Sequence, residues 1–287
     1  MVWHFLFYNR MYYGYDIYDI CVHMIKDIRD IGVKEGDTLD LKVSLKSMNN
    51  ITAYGLITAL LDVVGDKGTV ITNSFVDAHP LSLLRRRRIV SHSYSTSYAG
   101  GVANAMIDFP GAYRSRHPIQ KFAAVGYRAK ELMYNHTPDS FAYDVLKILA
   151  ETGGKNLSIG PVIPGVGTPH VAIGILGLKQ SIPKTGIYYM KDNKEELFKR
   201  DWVGGCSDGF RKFNHKAIGR GKIGGADSAL YDMGDSLRHE IGLLKADPSF
   251  FMCGKCIDCR YSWDHSPGNK TVNRIMISLF RTYNRLK

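Results

Sequence analysis

Two hydrophobic periods alternate along this chain. Ile17, Ile20, Met24, Ile28 and Ile31 share one helical face behind Asp16, a residue able to cap, and predict a helix over 16–31. Gly36-Asp37 marks a turn, and 39–45 then alternates apolar and polar residues as a strand does. A second helix is predicted over 52–64, closed by Gly65, before Asp66-Lys67-Gly68 turns into a strand over 69–75. Helix, strand, helix and strand in that order point to an α/β sheet. Further on, 77–91 reads as a loop, 99–109 as a helix stopped by Pro110-Gly111, and 122–129 as a strand. Helices follow over 140–151 and 168–178, the second capped by Thr168 with Pro169 in its first turn, and a short strand lies between them over 156–160. Strands are expected over 188–190 and 221–225, and helices over 236–245 and 271–286. With no repeat and no low-complexity linker, 16–287 reads as one domain behind an aromatic extension over 1–15. That extension, with Trp3, Phe5, Phe7 and Tyr8, is expected to dock on the domain or on a neighbouring subunit of a homo-oligomer.

Composition narrows the class. A length of 287 residues suffices for a full core, and 45% hydrophobic with 23% charged residues is ordinary for a soluble protein. No apolar run is long enough to span a bilayer, and Val2 to Tyr8 lacks a cleavage site, so neither membrane insertion nor a signal peptide is expected. Five cysteines without a secretion signal suggest reduced thiols in a cytoplasm. The net charge of +11 calls for an anionic partner or simply a soluble surface. Basic residues are scattered except at Arg85 to Arg88, and no nucleic-acid motif accompanies them, so nucleic acid is not the expected partner.

Several short motifs gain meaning from their order. Lys42-Val-Ser44-Leu45-Lys46-Ser47 places hydroxyls and cations at the end of a predicted strand; alone it reads as a half-exposed strand end with solvated lysines. Thr69 to Phe75 follows, then Ser97 to Gly101, then His117-Pro118, which alone reads as a turn, and then Phe122-Ala-Ala-Val-Gly126. In this order and spacing the chain resembles the aminoglycoside 3-N-acetyltransferase (antibiotic acetyltransferase) family over about 16–178. The resemblance implies an α/β fold with a central mixed sheet flanked by helices and a smaller C-terminal lobe. It also implies an acyl-CoA co-substrate, with an acetyl or a longer group such as 3-hydroxybutyryl, and no required metal.

By that resemblance Ser44, Leu45, Lys46, Ser74, Phe75, Ser97, His117, Phe122 and Ala124 are expected around coenzyme A. A pyrophosphate is held by backbone N–H groups, hydroxyls and cations. Lys121 stands where the family has serine and is expected to influence which acyl group fits. Acyl transfer to an amine needs a proton acceptor and donors for the oxyanion. The family's helix-start histidine is best matched by His170, which is thereby expected to be the general base. The carboxylate usual three residues later is Ile173 here, leaving Asp77, His79 and Asp139 as candidates to orient the ring. No neighbouring base activates Cys21 or Cys206, so direct amine attack in a ternary complex is expected rather than an acyl-enzyme.

Arg85 to Arg88 bear on the acceptor. Four arginines suit a pyrophosphate better than a polycation, so Asp77, His79, Arg85 and Arg86 are expected around a nucleotide-linked amino sugar of surface-polysaccharide synthesis. The alternatives are an aminoglycoside acceptor, or a non-catalytic basic binding protein of the same fold. Cys253-Gly-Lys-Cys256-Ile-Asp-Cys259 overlaps two C-x2-C steps. His265 or Cys206 would complete a tetrahedral zinc site, but no second matched pair exists, so the thiols are read as free and zinc as the alternative.

Overall fold

A computed structural model describes residues 15–161, 167–180, 184–200, 205–264 and 266. The strands are β1 (Thr38–Val43), β2 (Thr69–Asn73), β3 (His79–Pro80), β4 (Val90–Ser91), β5 (Tyr113–Arg114), β6 (Phe122–Gly126), β7 (Lys155–Ile159), β8 (Thr185–Lys191), β9 (Lys194–Lys199), β10 (Gly219–Ile223) and β11 (Ala226–Asp232). Seven of them form one mixed sheet in the order β10-β11-β7-β1-β2-β6-β5. Its centre is parallel, with Leu39 of β1 level with Val70 of β2 and Lys155 of β7, while the flanking strands run antiparallel. The expected mixed sheet flanked by helices is what the chain forms. A second sheet is built on β8, with β9 along one edge and β3 and β4 sharing the other.

Strand alternation sorts side chains into two layers. Leu39, Leu41, Val70, Leu157 and Ile159 pack with Met24, Ile28, Leu56, Ile57 and Leu60 from the helices Tyr15–Asp30 and Ala53–Val64. Full burial of such side chains contributes about 1.5–3 kcal/mol each. The predicted caps of the second helix form, since Thr52 accepts from Gly55 N at 3.0 Å and Gly65, at φ +65°, donates to Leu61 O. On the opposite face Ile71, Phe122 and Ala124 meet the helices Ala129–Asn135, Asp144–Glu151, Thr168–Ile175 and Met233–Ala246.

Polar residues occupy that second face at the centre of the sheet. Asp40, Asn156 and Ser158 alternate with the leucines of β1 and β7 and are buried. Asn156 Nδ2 donates to Asp40 Oδ2 at 3.0 Å, Ser158 Oγ donates to Asn156 Oδ1 at 2.8 Å, and Lys42 Nζ lies 3.0 Å from Asp40 Oδ2. Burial raises the Asp40 carboxyl above its ordinary range, opposed by Lys42 and Asn156.

The boundaries shift where tertiary contacts intervene. The strand expected over 69–75 ends at Asn73, because Arg114 takes over the next residue: Nε donates to Ser74 Oγ at 3.0 Å and Nη2 to Ser74 O at 2.6 Å. The loop expected over 77–91 contains β3, the helix Leu81–Leu84 and β4. Thr168 does not cap its helix. Gly167, at φ +90°, does, and the Thr168 hydroxyl turns inward. The helix expected over 271–286 and nearly all of the aromatic extension lie outside the described residues. Among the described residues no helix is long and apolar enough to cross a membrane.

Candidate active site

In open α/β sheets ligands bind outside the carboxyl ends of parallel strands. A cavity lies there in this chain. Lys42 and Val43 at the end of β1, Thr72 and Asn73 at the end of β2, and Pro161 just after β7 line a space of about 430 Å³. The helix Thr168–Ile175 starts at the same edge and brings Pro169 and His170 into the wall, with Tyr143, Gly205 and Phe210 beside them.

His170 is held by rings. Tyr143 stacks on the imidazole at 4.4 Å and 2°, and Phe210 meets it edge-on at 5.0 Å and 82°. Nδ1 is sealed from solvent without a hydrogen-bond partner among the described residues, and the residue lines the cavity. Burial, aided by the positive charges of Arg200 and Lys42, lowers the pKa to about 3, so the ring is neutral at physiological pH. No carboxylate among the described residues touches it. Asp77 and Asp139 are exposed, and His79 is paired into the second sheet through β3.

A carboxylate instead holds the helix carrying the imidazole. Thr168 Oγ1 donates to Glu240 Oε1 at 2.7 Å, and His215 Nε2 lies 2.6 Å from the same oxygen. All three residues are buried. Burial pushes the Glu240 carboxyl up and the His215 pKa down to about 4. Glu240 is 72 positions from Thr168, and no local spacing in the sequence announces it.

The residues expected around coenzyme A divide. Phe75 lines the cavity. Ser44 precedes a short helical turn, Leu45–Ser47, at the tip of β1; Leu45 packs on Gly101, and the Lys46 side chain is exposed. Ser97 closes a turn by accepting from Asn104 Nδ2 at 2.9 Å. Ser74, His117, Phe122 and Ala124 sit inside the protein, away from the cavity wall. Ser74 is engaged by Arg114. His117 Nδ1 accepts from Gln120 N at 2.9 Å, its ring stacks on His136 at 5.0 Å, and burial lowers its pKa to about 2. Lys121 is buried as well, its amine lowered to about 7 by burial and by Arg114. Arg114 ties Ser74 to the backbone carbonyls of Ser93 and Ser95.

The arginine run does not reach the cavity. Arg85 to Arg88 are exposed on the turn after the helix Leu81–Leu84. Arg88 pairs with Glu195 at 3.0 Å and lies 5.0 Å over the Tyr188 ring.

The chain is thus an α/β fold with helices on both faces of a mixed sheet and a histidine in a cavity at the strand ends. The aminoglycoside 3-N-acetyltransferase family matches residues 41–245, and the chain belongs to this family. It is 27% identical over 260 residues to aminoglycoside N(3)-acetyltransferase IX of Micromonospora chalcea, covering 77% of this chain and 91% of that protein. It is 31% identical over 159 residues to aminoglycoside N(3)-acetyltransferase VIII of Streptomyces fradiae, covering 48% of this chain and 54% of that protein. Among solved structures, AAC-VIa bound to sisomicin matches with a TM-score of 0.70 at 22% identity, over 79% of this chain and 97% of that one. YokD of Bacillus subtilis matches with a TM-score of 0.72 at 20% identity, over 80% of this chain and 94% of that one.

These findings correct the expected acceptor. The relatives are aminoglycoside N(3)-acetyltransferases, and none points to a nucleotide-linked amino sugar. The physical reason lies in the arginine run. Its charge suggested a pyrophosphate, but Arg85 and Arg86 stand off the cavity, and Arg88 is answered by Glu195.

Proposed function

We propose that this chain transfers an acetyl group from acetyl-CoA to an amine of an aminoglycoside. The observation that carries the reading is His170, neutral and ring-clamped in the wall of the cavity at the strand ends. The wall is mostly apolar, with Lys42 and no carboxylate among its described residues. That lining suits the neutral arm of an anionic thioester donor and not a polycation. Lys42, Val43, Asn73 and Phe75 would hold this arm, and a relative, AAC-IIIb, has been solved as a binary complex with CoASH.

Acetyl-CoA supplies an activated carbonyl. The acceptor nitrogen forms a C–N bond to it and becomes a strongly acidic ammonium. His170 takes that proton as the C–S bond breaks, and the imidazolium returns it to the departing thiolate. A histidine of low pKa serves because the donor of the proton is acidic only after attack. Tyr143 and Phe210 fix the ring plane in place of a carboxylate, and the Thr168–Glu240 bond fixes the helix start. Thiol release from acetyl-CoA with sisomicin as acceptor tests the reading. Turnover is expected, and its absence across a panel of aminoglycosides would overturn it.

A further inference from the structure

Four cysteines that the transfer chemistry does not use converge on one point. The Sγ atoms of Cys206, Cys253, Cys256 and Cys259 all lie within 4.8 Å of one another, and Cys206 and Cys256 are 3.9 Å apart. A tetrahedron of thiolates around one zinc, with bonds of about 2.3 Å, has edges of about 3.8 Å. An iron–sulfur cluster needs wider spacing, because its thiolates sit on different irons.

The backbone is arranged for thiolates. Gly254, at φ +70°, turns the chain so that the N–H groups of Lys255 and Cys256 donate to Cys253 Sγ at 3.4 and 3.3 Å. Cys259 N donates to Cys256 Sγ at 3.4 Å, and Gly209 N to Cys206 Sγ at 3.3 Å. Such donors stabilise negative sulfur and orient it toward a metal. Cys206 and Cys259 are buried while Cys253 and Cys256 are half-buried, which leaves an entry path.

We infer that these four cysteines bind one structural zinc ion, which fastens the segment carrying Phe210 to the segment 250–263. A closed set of four thiolates leaves no open position for substrate, so the ion is a staple and not a catalyst. Its place gives it consequence. Cys206 follows Gly205, whose added methyl would lie 2.8 Å from His170 Cε1, and precedes the helix that presents Phe210 to the imidazole. The cysteine motif thus gains its fourth ligand from 47 positions upstream. The inference is independent of which acceptor is acetylated.

The test is metal analysis of the full chain purified without chelator. About one zinc per chain is expected, released to a chromogenic chelator as a mercurial modifies four thiols. Exchange with Co(II) is expected to give the thiolate charge-transfer bands of a tetrahedral site. Cys253→Ser and Cys256→Ser are expected to cut zinc content at least tenfold and lower the Tm, whereas Cys21→Ser retains the metal. Should those variants fail to fold, the mercurial titration of the unaltered chain still decides. Four freely reactive thiols with no zinc and no cobalt spectrum, a disulfide among them, or iron in the site would each overturn the inference.

Discussion

Lowering the pH from 7 to 5 is expected to destabilise this protein steeply through buried histidines, two of them stacked on each other. His117 and His136 are 0% and 1% exposed, with pKa values lowered to about 2 and 4, chiefly by burial. Unfolded, each titrates near 6.5. Below that pH the unfolded chain binds protons that the folded chain refuses, so the stabilisation is complete above pH 6.5 and drains as pH falls toward the folded values. Each ring accounts for about 2 kcal/mol between pH 7 and 5, and His170, lowered to about 3, adds a like amount, about 6 kcal/mol for the three and a large part of a typical domain's stability. His215 is left out of the sum because Glu240, raised by burial, binds its proton in the opposite sense. Lys121, lowered to about 7, becomes protonated in both states toward pH 5 and contributes little. Urea unfolding at pH 7 and 5 measures the difference, and His136→Gln is expected to remove about a third of it. Equal stability at the two pH values, or greater stability at pH 5, would show that these rings are not held neutral by the fold.

Other perturbations separate the site's parts. Gly167→Ala forces a side chain to φ +90° and sets its Cβ 2.6 Å from Leu146 Cδ1; a loss of about 1–3 kcal/mol and a lower kcat are expected from thermal melts and steady-state rates. Glu240→Gln removes the carboxylate under Thr168 and His215, and is expected to lower kcat more than it raises KM, with stability down by about 1–3 kcal/mol. Arg85→Ala together with Arg86→Ala is expected to leave kcat/KM within about threefold, well under 1 kcal/mol, because both side chains are exposed away from the cavity. With His170 neutral above about pH 4, log kcat/KM is expected to rise with pH as the acceptor amine loses its proton, with no limb from the enzyme near pH 6.5.

The fold was readable where one local signal sufficed. The apolar stripe from Ile17 to Ile31, the Thr52 and Gly65 caps and the alternation of β1 forecast elements that form close to the expected bounds. The helix Ala129–Asn135 and strands β9 and β11 were missed. The polar faces of β9 break its alternation, with Phe198 its sole large apolar residue turned inward. Family resemblance directed attention to His170, but neither Tyr143 nor Phe210 carries a motif, since an aromatic clamp depends on folding and not on spacing. Arg85 to Arg88 misled for the same reason. A charge run announces its charge but not its direction, and Glu195, which answers it, lies on another sheet strand. Cys206 was named as one of two possible fourth ligands, and only the folded chain shows it beside the other three; His265 lies outside the described residues.

The most direct measurement compares the unaltered chain with His170→Gln in single-turnover acetyl transfer from acetyl-CoA to sisomicin, with binding of coenzyme A followed in parallel. Coenzyme A affinity is expected to persist while the transfer rate falls by about 10²–10⁴-fold, the usual worth of a positioned general base. A His170→Gln protein that transfers acetyl at the unaltered rate would contradict that role for His170.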